Sequence, residues 1–481
     1  MPHAAELFLI ANVDSSRERL GEDARAELIV IGAGAAGLAT AICAARAAPA
    51  CRIVCVDSAR RIGAKILVSG GSRCNVTNRS VSERDFWGGS TRFVRNVLRA
   101  FPEARAIDFF SELGVALHEE EDGKLFPDSN TSRTVLQALM READRLGISI
   151  VTGERVTALE LAGQAPPETG AAARSTSLRA SRAQSRHEGG PAFVTTTASG
   201  RTFRSHAVVL STGGRSLPKT GSDGFGYELA RRFGHGCVDP IPALAPLLFD
   251  GWEPLAGVAL PAAMTLRVDD RVAVTLEGPL LWTHFGASGP LALNMSRHWH
   301  RAHAEGRACD VTVDVCPGNT FDSLDGWLRA QEQSRPRSRV ATIVGARVPN
   351  AVAERWVGAA GIEPDLTMAH LTRERRHALV RTLRETALPV RGSRGFAYAE
   401  VTAGGVPLDE VDSATMESRL CPNLFFTGEI LDVDGRLGGF NFQWAWSSAW
   451  VAAQAIARVL VRLPPTRNAL RRTREPDTTT T

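Results

Sequence analysis

The stretch Leu28-Ile29-Val30-Ile31-Gly32-Ala33-Gly34-Ala35-Ala36-Gly37 decides the fold. Its first four residues are an unbroken apolar run, which suits a strand buried on both faces, and the alanine-rich segment that continues to Ala48 suits a helix. Between them Gly32, Gly34 and Gly37 form G-x-G-x-x-G. The first glycine permits the tight turn, the second lets backbone approach a pyrophosphate, and the third allows the helix to pack closely on the strand. Ala35 and Ala36 open that helix, whose unpaired N–H groups and partial positive charge favour phosphate. A second apolar run, Ile53 to Val56, ends in Asp57, twenty residues past Gly37. A carboxylate there can accept both ribose hydroxyls. The spacing predicts a β-α-β unit of about 30 residues that holds a dinucleotide.

Two further segments point to a flavin rather than a nicotinamide. The run Ala207 to Leu210 leads into Ser211, Thr212, Gly213 and Gly214, a strand entering a small-residue turn. Near the C-terminus, Leu424 to Phe426 is a strand entering a turn at Gly428 and Glu429, and Gly438, Gly439, Phe440 and Asn441 begin a long apolar helix that runs to about Leu460. That arrangement aims a helix N-terminus at a fixed point, where it would stabilise the negative charge of a reduced flavin. The plainer reading of the same residues is a glycine-rich loop capping a core helix.

The rest of the chain frames this unit. With 481 residues, 44% hydrophobic and 22% charged, the chain is an ordinary globular one, and collagen-like, coiled-coil and wholly disordered classes are excluded. No apolar stretch approaches the roughly 18 residues of a membrane helix, and Leu7 to Ile10 is too short for a signal-peptide core, so a cytoplasmic protein is expected. Eight scattered cysteines form no CxxC pair and read as free thiols, and no His/Cys spacing suits a metal. Residues 1–25 read as a loose leader, 26–245 as the first part of the nucleotide domain with a flexible insertion at 161–191, and 246–320 as a β-rich module. Residues 321–395 read as a helical module with caps at Asp322 and Thr372, 396–462 as the second part of the nucleotide domain, and 463–481 as a disordered tail. The fold class read from these runs is therefore α/β.

The segment Ile62-Gly63-Ala64-Lys65-Ile66-Leu67-Val68-Ser69-Gly70-Gly71-Ser72-Arg73-Cys74-Asn75-Val76-Thr77-Asn78 resembles the GxKxLxSGGGRCNxTN signature of the BaiN/RdsA family of FAD-dependent oxidoreductases. THFGASGP at 283–290, AEVTAGGV at 399–406 and TGEILDVDGRLGGFNFQWAWSSAW at 427–450 carry the resemblance further, and it spans about 26 to 460. Ser72 stands where the family usually has a third glycine. The resemblance implies a two-lobed flavoprotein build, a discontinuous Rossmann-like FAD domain with inserted β-rich and helical modules, together with tightly held FAD, NAD(P)H as transient reductant, and reduction of a C=C bond conjugated to a carbonyl. One branch makes dihydrouridine in large-subunit ribosomal RNA; another acts on unsaturated oxo-bile acids. It also implies that Ala64, Lys65, Arg73 and Asn75 lie beside the flavin and that the strand of Val156 lends backbone to the adenine; for Val156, core packing is the equal alternative.

Such a reduction needs a hydride, which the flavin supplies, and a proton, which the protein must supply. Cys74 is one candidate donor, although the adjacent Arg73 would favour its thiolate, and a structural role is the alternative. His284 is another, against a structural histidine. Glu429 and Asp432 either touch the cofactor or cap a turn, and Trp444, Trp446 and Trp450 read as packing. Residues 371–395 hold seven arginines against Glu374 and Glu385, a net +5 that suits RNA phosphates or, more plainly, a solvated helix face. Three functions fit: an rRNA dihydrouridine-forming reductase, a small-molecule enone reductase, and a non-enzymatic flavin redox sensor or assembly factor.

Overall fold

A computed structural model describes residues 23–163 and 192–462. The greater part of the expected leader, the bulk of the 161–191 insertion and the whole 463–481 tail lie outside them.

The expected β-α-β unit sits at the centre of a five-stranded sheet in the order Leu424–Phe426, Ala207–Leu210, Leu28–Ile31, Ile53–Asp57, Ser149–Thr152. Every pairing in it is parallel. All four residues of Leu28–Ile31 and of Ala207–Leu210 are buried, which explains why these strands read as continuous apolar runs rather than alternations. The sheet draws its edge strand from residue 424 onward, so the two ends of the chain fold as one domain around a shared core. Helix Ala35–Ala47 lies against helix Phe440–Leu460, and both are apolar nearly all round because each is covered on several sides.

A four-stranded sheet flanks this one: Asp23–Arg25, Thr202–Ser205, Phe193–Thr197, Val156–Leu161. Its first strand corrects the leader reading. Ala24 lies opposite Phe203 in parallel register, and three residues are too few to show a period in the sequence.

The other lobe is built on a seven-stranded sheet, all its pairings antiparallel, dominated by the hairpin Ala259–Val268 and Arg271–Thr283. The region expected to be β-rich also contains the helix Gly289–Ala304, which the alternating runs around it obscured. Strands and helices here share one core: Trp252 stacks on Trp282 at 5.1 Å and tilts against Trp356 at 4.9 Å. Thr372 caps Arg373–Arg384 as expected, whereas Phe321–Ser334 is capped by Thr320 rather than Asp322, through a reciprocal pair with Ser323.

Two devices join the lobes. Val238–Ala243 and Val401–Gly405, one leading out and one returning, pair antiparallel as a two-stranded strap. The helix Gly289–Ala304 docks on the nucleotide domain through Arg297, which makes a bidentate pair with Asp434 at 2.9 and 2.9 Å, both side chains buried. Asn294 accepts the Leu437 N–H at 2.8 Å on the same face.

Candidate active site

At the carboxyl ends of the parallel strands, where open α/β sheets bind ligands, lies a cavity of about 480 Å³. Gly32, Gly34, Ala35 and Ala36 form one wall. Gly32 takes φ +99°, and a Cβ on it would come within 2.4 Å of the Ser211 carbonyl oxygen. A Cβ on Gly37 would be 1.8 Å from the Gly32 oxygen, so Gly37 serves helix packing and stands outside the cavity wall. A Cβ on Gly34 would meet nothing within 4 Å and would project into open space. The helix behind it has no side-chain cap, so its first N–H groups are left for a ligand. That combination is the cradle an FAD pyrophosphate requires.

Asp57 lines the cavity at the next strand end, but it is not idle there. Its carboxylate accepts Ala33 N–H at 2.6 Å and Ala59 N–H at 2.8 Å. Burial pushes its pKa up, and these two bonds oppose the shift. Each oxygen keeps a lone pair for a ribose hydroxyl. Val156, Thr212 and Gly213 line the same end, next to Arg155, which pairs with Asp223 and lies over the Phe225 ring.

At the other end Gly428, Glu429, Gly438, Gly439 and Asn441 close the wall. Gly439, at φ +94°, begins the last helix without a side-chain cap; a Cβ there would lie 2.5 Å from the Thr77 carbonyl. Asn441 contributes backbone only, because its amide exchanges two 2.8 Å bonds with Gly435. Phe440 departs from expectation: it is fully buried, edge-on to Phe86, and stands outside the cavity wall. Trp444 lines the cavity while its indole donates to the Gly428 carbonyl at 3.1 Å, and Trp446 is core.

Ala64, Lys65, Arg73 and Asn75 all line the cavity. The chain there turns through left-handed conformations at Gly70, Gly71, Ser72 and Cys74, so the serine in place of a third glycine costs about 1–2 kcal/mol of backbone strain. Lys65 reaches Glu429 and Ser216, each at 2.7 Å. Glu429 also accepts from Ser216 Oγ at 2.8 Å and from Thr402 N–H at 2.8 Å, so it fastens three separate segments at the cavity floor. Ser216 lies in no motif of the sequence, and Thr402, although inside AEVTAGGV, is marked by nothing in its residue type. Glu400, one residue before the strap strand, also lines the cavity.

Neither proton-donor candidate stands at this wall. Cys74 is fully buried in the core, and burial holds its thiol up at about 12. The expected influence of Arg73 fails because its guanidinium turns away to Glu120 and the Phe126 ring. His284 is exposed in the loop between the strands Arg271–Thr283 and Gly286–Ser288, edge-on to Phe285. The arginine cluster is also less free than its count suggests. Arg375 pairs with Glu363, Arg376 with Asp325 and Glu332, Arg384 with Asp314, and Arg391 with Asp250.

Fold and cavity together define a Rossmann-type dinucleotide-binding protein. A family profile described as "HI0933-like protein Rossmann domain" matches residues 26–455. The chain is 33% identical over 436 residues to the "Ribosomal RNA dihydrouridine synthase" of Escherichia coli, covering 89% of this chain and 98% of that protein. It is 31% identical over 430 residues to the "3-dehydro-bile acid delta(4,6)-reductase" of Clostridium scindens, covering 89% and 98%. Among solved structures, the 3-ketosteroid delta1-dehydrogenase of Sterolibacterium denitrificans aligns with a TM-score of 0.46 at 12% identity, covering 90% of this chain and 100% of that one. The chain belongs to the HI0933-like family and is an FAD-dependent oxidoreductase. Among the described residues, no helix is long and apolar enough to cross a membrane.

Proposed function

We propose that this protein is a cytoplasmic reductase that takes electrons from NADH or NADPH through FAD and saturates a uridine of large-subunit ribosomal RNA to dihydrouridine. The observation that carries the reading is the open cradle at Gly34 facing the uncapped helix, in a chain 33% identical to an rRNA dihydrouridine synthase over nearly its whole length. Bound FAD would supply the hydride. The residues of this chain supply the rest: the amides at Ala35 and Ala36 hold the phosphates, Asp57 the ribose, and the Gly439 helix end would meet the flavin's electron-rich edge. Lys65 places an ammonium at the floor, fixed by Glu429 rather than free to swing.

Support for a nucleotide substrate comes from the segment leading into Glu400. Leu217 at the cavity donates its N–H to the Phe396 carbonyl at 2.8 Å, Arg215 lies over the Phe396 ring, and Arg394 lies 3.3 Å from the Tyr398 ring centroid. Tyr398 is half exposed. An exposed tyrosine ring and a partly buried phenylalanine ring, each with an arginine over it, suit a base taken out of its stack and its phosphates. The similarity to a bile acid reductase favours a second reading, a free enone as substrate. Mass spectrometry of ribosomal RNA decides between them: a strain lacking the gene should lose a dihydrouridine that the intact gene restores. A modification that persists in the deletion strain rejects the first reading.

A further inference from the structure

The lobes meet where the strap ends, and one acidic side chain stands there without a partner among the described residues. Glu400 donates its backbone N–H to the Leu244 carbonyl at 3.2 Å and accepts Ser216 Oγ on its own carbonyl at 3.2 Å, so its backbone is fixed from both sides. Leu244, Glu400 and Val401 form part of the cavity wall. The carboxyl itself makes no hydrogen bond or ion pair among the described residues, although it is open to the cavity. The other acids at this wall are engaged: Glu429 by Lys65, Ser216 and Thr402, Asp57 by two backbone amides, Asp223 by Arg155, and Glu154 by Ser199 and Arg201.

Resting on the reductase reading above, we propose that Glu400 is the catalytic acid, protonating the α-carbon of the conjugated alkene from the lobe interface. The balance is simple. The β-carbon gains a hydride, both electrons of the new C–H bond coming from the reduced cofactor. The α-carbon then takes the Glu400 proton as the C=C π bond is consumed, and the carboxylate left behind is reprotonated by water. The assignment needs an acid that is neutral near pH 7. Surrounding protein atoms push the Glu400 pKa up from the ordinary carboxylate range, and among the described residues no cation is in contact to oppose it. Lys65 and Glu429 at the cavity wall pair with each other at 2.7 Å.

Glu400→Gln keeps shape and removes the acid, and because the carboxyl holds nothing in place the variant should fold and retain FAD. Two measurements test it. In the wild-type-minus-Glu400→Gln infrared difference spectrum of the reduced holoprotein at pH 7, a protonated-carboxyl C=O band should appear; its absence overturns the proposal whatever the substrate. In stopped flow, reduction of the variant's FAD by NAD(P)H should stay within about twofold of wild type. Its reoxidation by ribosomal RNA from the deletion strain should slow by about 10²–10⁴-fold, the usual worth of a positioned acid, with Glu400→Asp partly restored. Reoxidation at the wild-type rate overturns the proposal and leaves the RNA reading standing. Should RNA fail to reoxidise even the wild type, the RNA reading falls; the same comparison, run with 2-cyclohexenone, then decides for or against Glu400.

Discussion

Gly34 offers the sharpest separation of binding from folding. Valine at this position places its side chain in space where, its own chain neighbours aside, no protein atom lies within 4 Å of the new Cβ, and the glycine's φ of −80° is one that any residue adopts. The protein without cofactor should therefore melt within about 2 °C of wild type, since a surface substitution free of strain changes stability by under about 0.5 kcal/mol. The cofactor cannot share that space. Losing two backbone N–H bonds to a charged phosphate, each worth about 1.5–3 kcal/mol, weakens FAD by about 3–6 kcal/mol, or about 10²–10⁴-fold. Titrating apoprotein with FAD and following flavin fluorescence measures this directly. Gly37→Ala is the control, because its Cβ would sit 1.8 Å from the Gly32 oxygen and should destabilise the fold by about 1–3 kcal/mol or more. Were Gly34→Val to bind FAD as wild type does, or to melt as low as Gly37→Ala, the cradle would be misplaced.

Three other outcomes follow from the geometry. Cys74→Ala should leave turnover within about threefold of wild type and abolish no flavin binding, and the native thiol should alkylate only on unfolding, because it is fully buried with its pKa at about 12; a large loss of turnover at unchanged FAD content would reinstate it as a catalytic group. Arg297→Met strands the buried Asp434 and should cost about 3–5 kcal/mol in denaturant unfolding, whereas Arg297→Met with Asp434→Leu should recover most of it; equal single and double variants would refute the pairing. His298 and His300 are held neutral chiefly by burial, at about 3 and about 4. The unfolded chain takes up protons below about pH 6.5 and the folded one does not, so stability is complete above that pH and falls towards pH 4, by up to about 1.4 kcal/mol per pH unit for each ring. His298→Phe should remove its share of the slope between pH 6 and 4; an unchanged slope contradicts the assignment.

The local pattern determined a good deal alone. Strand, glycine turn, helix and acid fall within residues 28–57 because their spacings are set by backbone geometry, and a sheet buried on both faces demands unbroken apolar runs. The long motif at 62–78 located the cavity wall, and the glycines at 438 and 439 marked the last helix because their backbone angles bar other residues. Side-chain direction was out of reach. Cys74 and Arg73 are neighbours in sequence, yet one faces the core and the other Glu120 and Phe126, since the left-handed turn at 70–74 reorients each residue. The arginines of 371–395 counted as free charge until acids from a helix, a strand and two loops elsewhere in the fold came to meet four of them. Glu400 lies within AEVTAGGV at 399–406, yet nothing in that motif marks it as an acid. Its position is a property of the interface between two lobes, where a strap closed over more than 150 residues of intervening chain sets one carboxyl in the cavity wall, without a partner among the described residues.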